Sequence, residues 1–277
     1  MRVRIHKALW GMEGVGSLDE QLRRVRAAGY DGVEINVSGG VPTGLGELLA
    51  RHDLEWCAQL IFVEAEELEA AMGVCAPLRP VLFNVHGGRD RFSFDQGCAY
   101  FERALAAERR FGIPVAHETH RHRLLYSPFV ARAYLERFPD LRLTADFSHW
   151  TCVCEYLLGD LDEIMELAIS RAIHIHCRVG HEEGPQVADP RAPEFEPYCR
   201  TFGTWWDRIR ECCERAGRES LVAVPEYGPP GYLQTLPYTR QPVADLWDIC
   251  LWQADDLRAR WGLPRRPPID QQTRSAQ

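Results

Sequence analysis

Four short segments concentrate side chains able to bind metal or move protons: His117-Glu118-Thr119-His120, Asp146-Phe147-Ser148-His149, His174-Ile175-His176-Cys177-Arg178 and Pro225-Glu226-Tyr227. In extended backbone, residues two apart share a face, so Glu118 accompanies His120, and His174 accompanies His176 and Arg178. Set side by side with that face inward, the segments bring Glu118, Asp146, His176 and Glu226 together. Three carboxylates and one imidazole are a hard-to-borderline ligand set for one divalent ion, Mn²⁺ first, with Mg²⁺, Co²⁺ and Zn²⁺ compatible. Without a cation, the carboxylates would repel one another. Each residue alone reads as readily as a surface ion-pair partner or a hydrogen-bonded core histidine. Four at consecutive strand ends argue for a metal centre.

Other polar or aromatic positions close short apolar runs. Glu34, Asn36, Gln59 and His86 suit hydrogen bonds to hydroxyl groups, while Trp10, Trp150 and Phe62 suit stacking on a ring or excluding water. Arg89, Arg121 and Arg123 could take a phosphate, although 31 of the 32 basic residues are arginine, which makes any local arginine weak evidence. His86-Gly87-Gly88-Arg89 is glycine-rich but lacks the lysine of a P-loop and the spacing of a dinucleotide fingerprint.

The elements that must carry these groups alternate along the whole chain. Eight β-rich runs are expected at Arg4 to Leu9, Gly32 to Asn36, Glu55 to Phe62, Val81 to His86, Val115 to His120, Leu141 to Ser148, Ala172 to Arg178 and Leu221 to Tyr227. Several are apolar at successive positions, as in parallel strands covered on both faces. Helical patterns lie between them. Ser17 with Glu20 and Ser93 with Gln96 form capping boxes, and Ser127-Pro128 opens another helix. Further helices are expected from Asp160 or Leu161, over Glu196 to Ala216 and over Pro242 to Trp261. Eight βα units with right-handed crossovers close most economically into a (β/α)8 TIM barrel, an α/β single domain spanning 1–262. A doubly wound open sheet is second, since its glycine-rich turn after the first strand is missing. Gly180 to Pro197 is a long polar connection at the catalytic face, and 263–277 reads as a Pro-rich polar C-terminal tail.

Composition narrows the chemistry. The 277 residues carry a formal net charge of −8, which repels phosphate backbones and argues against nucleic acid as a partner. Lys7 is the single lysine, so imine-forming catalysis has one candidate. The ten cysteines include no C-x-x-C pair, and neither a signal-peptide core nor a membrane-spanning run is present. The expectation is a cytoplasmic protein with reduced thiols and no membrane partner.

Glu118, the D-x-x-H of Asp146 and His149, the H-x-H ending at His176, and Glu226 together resemble the xylose-isomerase-like TIM-barrel superfamily, the sugar phosphate isomerases and epimerases. The resemblance covers roughly residues 1 to 262. It implies that Glu118, Asp146, His176 and Glu226 hold one divalent metal and that His149 contacts substrate. The endonuclease branch needs a histidine where Gln59 stands and a D-x-H that Gly180 to Pro197 lacks. Two-metal isomerases need further aspartates that have no counterpart here. The resemblance also implies a homo-oligomer paired through barrel helices.

The implied reaction is isomerisation or epimerisation of a sugar, keto-sugar or cyclitol through a metal-stabilised enediolate, with Glu118 and Glu226 exchanging protons. His149 and Arg178 would stabilise the oxyanion, although relatives place their arginine several residues further on. The alternative is a lyase or dehydratase working by β-elimination on a keto-glycoside or cyclic keto-acid, with His120 as base. A minor alternative is a sugar-binding barrel without turnover. His120 could also simply orient a metal carboxylate. His174 reads as buried and hydrogen-bonded, and His117 and His122 as lying outside the site.

Overall fold

The computed structural model describes residues 1–62 and 64–267. Eight parallel strands close into a barrel in chain order: β1 (Arg2–Ala8), β2 (Gly32–Asn36), β3 (Glu55–Phe62), β4 (Phe83–Gly87), β5 (Val115–Glu118), β6 (Leu143–Ala145), β7 (Ala172–His176) and β8 (Ser220–Val224). The helices are α1 (Leu18–Ala27), α2 (Leu45–Arg51), α3 (Ala65–Cys75), α4 (Phe94–Phe111), α5 (Pro128–Arg137), α6 (Phe147–Cys154), α7 (Asp162–Arg171), α8 (Glu196–Arg215) and α9 (Leu246–Trp261). This is the (β/α)8 single domain expected from the alternation.

The expected caps start the helices. Ser17 and Ser93 each make a capping box, with Glu20 and Gln96, and Ser127 accepts from Val130 N ahead of Pro128. Most boundaries shift by one to three residues, with β8 ending at Val224 short of Tyr227, and two shifts have a visible cause. Strand β6 stops at Ala145 because Asp146 leaves the ladder and caps α6, accepting from Ser148 N at 3.2 Å. Asp146 and His149 therefore sit at a strand-to-helix turn, not on a strand. Helix α9 begins at Leu246 rather than Pro242, capped by Asp245.

Alternation along the strands layers the barrel interior. Ala8, Cys57, Leu82, Ala116, Ile173, Val222 and Val224 form a small apolar cluster within it. Gly32 is required at the start of β2: a Cβ would lie 2.5 Å from Glu55 O and 2.6 Å from His6 Nε2. Polar side chains share the interior with this cluster: His6 Nδ1 lies 3.5 Å from Cys57 Sγ, and Ala8 and Val224 are in register with Glu34 and His176. The larger apolar core lies between sheet and helices, around Leu22, Val33, Leu60, Phe101, Leu135, Ile169, Phe202 and Leu257.

The residues just after α9 are anchored. Arg265 pairs with Asp255, Arg266 pairs with Asp53, and Arg26 Nη1 donates to Pro267 O at 2.7 Å. The rest of the expected tail, 268–277, lies outside the described residues. All ten cysteines are free thiols, and none is exposed. No helix among the described residues is long and apolar enough to cross a membrane.

Candidate metal centre and its cavity

The inward positions of four strand ends meet at the carboxyl side of the barrel. One ligand atom each from Glu118, Asp146, His176 and Glu226 lies within 4.8 Å of the others, and all four residues are buried. His176 is the hub. Its Nδ1 stands 3.1 Å from Glu226 Oε2, 3.5 Å from Glu118 Oε2 and 3.8 Å from Asp146 Oδ2. Its Nε2 lies 2.9 Å from Glu34 Oε1 on the other side of the ring. Because a carboxylate only accepts, that contact puts a proton on Nε2. Burial opposes a second proton, but Glu226, Glu118 and Glu34 raise the His176 pKa well above its ordinary value. A cation taking the Nδ1 lone pair would displace the proton held there.

The donor set was tested against a divalent cation. His176 Nδ1 and Glu118 Oε1 are buried without a hydrogen-bond partner, inside a group of carboxylate oxygens and one imidazole nitrogen. Unpartnered buried polar atoms in such a set fit a divalent ion with oxygen and nitrogen ligands. The residues present therefore fit the group.

Positive charge from the chain also faces these acids. Arg178 is buried and pairs with Asp146, with its Nη1 3.2 Å from Glu226 Oε2 and its Nε 3.2 Å from Ser148 Oγ. Burial opposes the charge of Arg178, but Asp146 and Glu226 raise its pKa above the ordinary value. Burial also works against ionised Glu118, yet His86 and His176 hold it well below the usual carboxylate range. His86 Nε2 lies 2.5 Å from Glu118 Oε2, and Asn84 Nδ2 donates to the same oxygen at 2.9 Å. Burial raises the Glu34 carboxyl, with His176 opposing.

A cavity of about 560 Å³ opens above the centre. Glu34, Gln59, His86, Glu118, Arg178 and Glu226 form its polar end, and Trp10, Leu18, Pro42 and Ile61 form an apolar side. Gly228, in the segment after β8, lets the Trp10 indole approach the backbone, since a Cβ there would be 2.2 Å from the ring. Tyr232 meets Trp10 edge-on, with centroids 5.0 Å apart.

Several expected residues stand elsewhere. Trp150 is fully buried, donates to Leu125 O at 2.8 Å and stacks on Phe147, so it packs the core and does not border the cavity. His149 is fully buried too; its Nε2 accepts from Arg178 Nη2 at 2.8 Å, which places it behind that guanidinium. Glu34 borders the cavity but spends one oxygen on His176, with the other 3.4 Å from His174 Nε2. His120 borders the cavity, its ring 4.6 Å from His86 and 4.0 Å from His149. Lys7 is buried, donates to Ala8 O at 2.5 Å and does not line the cavity. Gly180 to Pro197 contributes no lining residue; Gln186 instead exchanges two hydrogen bonds with the Gly228 backbone.

Two residues escaped sequence reading. Asn84 precedes His86 by two positions, so the alternation that selected His86 would also have found it. Tyr232 lies in the loop after β8, where no periodicity points inward. Its ring has the Arg178 and Arg121 guanidinium carbons 5.0 and 5.2 Å from its centroid.

No family model and no curated protein matches the chain. Solved structures do. A D-allulose 3-epimerase from Methylomonas sp., in complex with D-allulose, aligns with TM-score 0.64 and 14% identity over 94% of this chain and 97% of its own. A probable 3-DHS dehydratase involved in petrobactin synthesis from Bacillus anthracis gives 0.57 and 13%, over 92% and 98%. An AP endonuclease of family 2 from Brucella melitensis gives 0.55 and 16%, over 82% and 94%. The chain shares the fold of these structures.

Proposed function

We propose that the protein is a divalent-metal-dependent isomerase or epimerase of a sugar, keto-sugar or cyclitol. The observation that carries this reading is the convergence of Glu118, Asp146, His176 and Glu226 beside a cavity lined by two of them. These four residues would hold the cation, whose chemistry when bound is to polarise a carbonyl and offset negative charge as the neighbouring carbon is deprotonated.

In this reading Glu118 and Glu226 move the proton. Glu118 ends β5 and Glu226 follows β8, and the two strands are separated around the barrel by β6 and β7. Their carboxylates thus reach the cavity from different sides. One takes the proton next to the carbonyl and the other returns one to the opposite face, which inverts that carbon; return to the adjacent carbon isomerises the compound. His86 and Asn84 orient Glu118, leaving Oε1 without a partner. Arg178 and Gln59 face the two oxygens of Glu226 at 3.2 and 3.5 Å. The Arg178 charge beside the cavity also favours a developing oxyanion. Trp10 and Tyr232 restrict water on the apolar side. The structural likeness to an epimerase holding D-allulose supports a carbohydrate-like ligand.

The test is metal analysis combined with solvent-deuterium wash-in on ketoses, inososes and 3-keto-glycosides in the presence of Mn²⁺. An epimerase or isomerase incorporates deuterium and returns a product of unchanged formula. Full turnover by both Glu118→Gln and Glu226→Gln variants would sink the scheme.

A lyase is the second reading, favoured by one observation. His120 Nδ1 lies 2.5 Å from Arg121 O, and since a carbonyl only accepts, Nε2 is left as the basic nitrogen of a cavity residue. Burial, with His86 beside it, pushes His120 down to about 3, which makes it a weak base and ranks elimination second. Release of water or an aglycone in the same assay would reverse that ranking. Binding of ligand without exchange or product would identify a non-catalytic barrel.

A further inference from the structure

Arg123 borders the cavity, yet the proton-transfer scheme gives it no task. It lies between β5 and α5, is half-buried, and has an Nε atom that is buried without a hydrogen-bond partner. Arg89, in the segment after β4 and just outside the cavity lining, also has a buried, unpartnered Nε, while its Nη1 lies 3.5 Å from His122 Nε2. Among the described residues neither forms an ion pair with a carboxylate. The nearby acids are engaged elsewhere: Asp90 by His122 at 2.9 Å, and Glu118 by His86. Arg178, in the same cavity, has two acidic partners.

Backbone contacts fix the two arginines near each other. Leu124 N donates to Gly87 O at 3.2 Å, and Arg123 N to His120 O at 3.2 Å. Gly88, at φ +63°, allows Leu124 to approach, since a Cβ there would lie 2.5 Å from that side chain. Burial, with Arg89 beside it, lowers the Arg123 pKa from its ordinary value. A partly desolvated guanidinium without an acceptor, next to a like charge, opposes folding. An anion between the two would remove both penalties with charge-assisted hydrogen bonds. On a chain of net charge −8, a local cationic pair is also what an anionic ligand needs to approach.

We propose that Arg123 and Arg89 form an anion subsite at the rim of the cavity, so that the substrate is a hydroxy-carbonyl compound carrying a carboxylate or phosphate away from its reacting carbons. The hydroxy-carbonyl half of this statement rests on the function proposed above; the anion half rests on the arginines alone.

Two measurements separate those halves. First, inorganic phosphate and malonate are titrated into the full-length protein and into Arg123→Gln, with thermal stability as the readout. The wild type is stabilised by at least one of the anions, less so at high salt, and the variant is not. No stabilisation, or equal stabilisation of both proteins, overturns the anion subsite whether or not ketoses are substrates. Second, kcat/KM is compared for a ketose, its terminal phosphate ester and the matching uronate. One anionic form is favoured by about tenfold or more, and Arg123→Gln abolishes that preference by lowering kcat/KM for the anionic form more than for the neutral ketose. The better of the two identifies phosphate or carboxylate. Equal rates for all three overturn the proposed substrate class; no turnover of any, with anion stabilisation intact, counts against the isomerase reading instead.

Discussion

Glu34 Oε1 lies 2.9 Å from Nε2 of His176, on the opposite side of the imidazole from the three carboxylates. The two residues are 142 positions apart in sequence. Glu34 thereby keeps a proton on Nε2, which makes Nδ1 the ligating atom, and it holds the ring in place. Its second oxygen lies near His174, whose Nδ1 contacts Thr144 Oγ1 at 3.0 Å.

Replacing Glu34 by Gln keeps the shape but removes the acceptor charge. Cation affinity, measured by competition with a chelator, is expected to fall about 10–100-fold. Unchanged affinity with a lower melting temperature would assign Glu34 to packing alone.

The two reaction readings diverge at His120. If Glu118 and Glu226 exchange the protons, His120→Asn should retain deuterium wash-in to within about tenfold, because no obligatory proton passes through the imidazole. A loss of about 100-fold or more, with metal content unchanged, would make His120 the base and favour elimination.

Gly32 leaves room at the base of the barrel for the His6 ring and the Glu55 carbonyl. Gly32→Ala should destabilise the fold by about 1–3 kcal/mol through forced displacement of packed groups. Denaturant unfolding measures this. A midpoint equal to that of the wild type would show that His6 moves aside freely.

His117 points away from the carboxylates, between the rings of Tyr100 and Phe101 at 5.9 and 5.2 Å, and burial pushes its pKa down to about 3. In the unfolded chain the imidazole titrates near 6.5. The unfolded state therefore binds the extra proton first. Stability is intact above about pH 6.5 and declines as pH falls toward about 3, by roughly 2 kcal/mol at pH 5. His117→Gln should flatten this part of the acid limb. An identical loss between pH 7 and pH 5 in both proteins would exclude the assignment.

Much of the fold was legible because its signals are local. Glu55–Phe62 and Gly32–Asn36 stand where the apolar runs put them, and the Ser17, Ser93 and Ser127 caps use contacts within three residues. Strand β6 was overextended because the Asp146 cap competes with the ladder for the same backbone, and an apolar run does not reveal which interaction prevails. The end of α9 looked like the start of a free tail because the arginines beyond it find partners at Asp53 and Asp255, one of them over 200 positions away.

By itself the sequence determined the barrel and the shared inward face on which Glu118 and His176 end β5 and β7. Period-two alternation and the βα order suffice for that. Depth, direction and partner were decided by barrel closure. It seats Arg178 between Asp146 and Glu226, puts His149 and Trp150 behind the cavity wall, turns Glu34 toward His176, and leaves Arg123 at the rim without an acid. The physical reason is that alternation specifies only an inward face. Which inward groups then touch depends on strand register and loop packing between residues far apart in the chain, for which no local pattern exists.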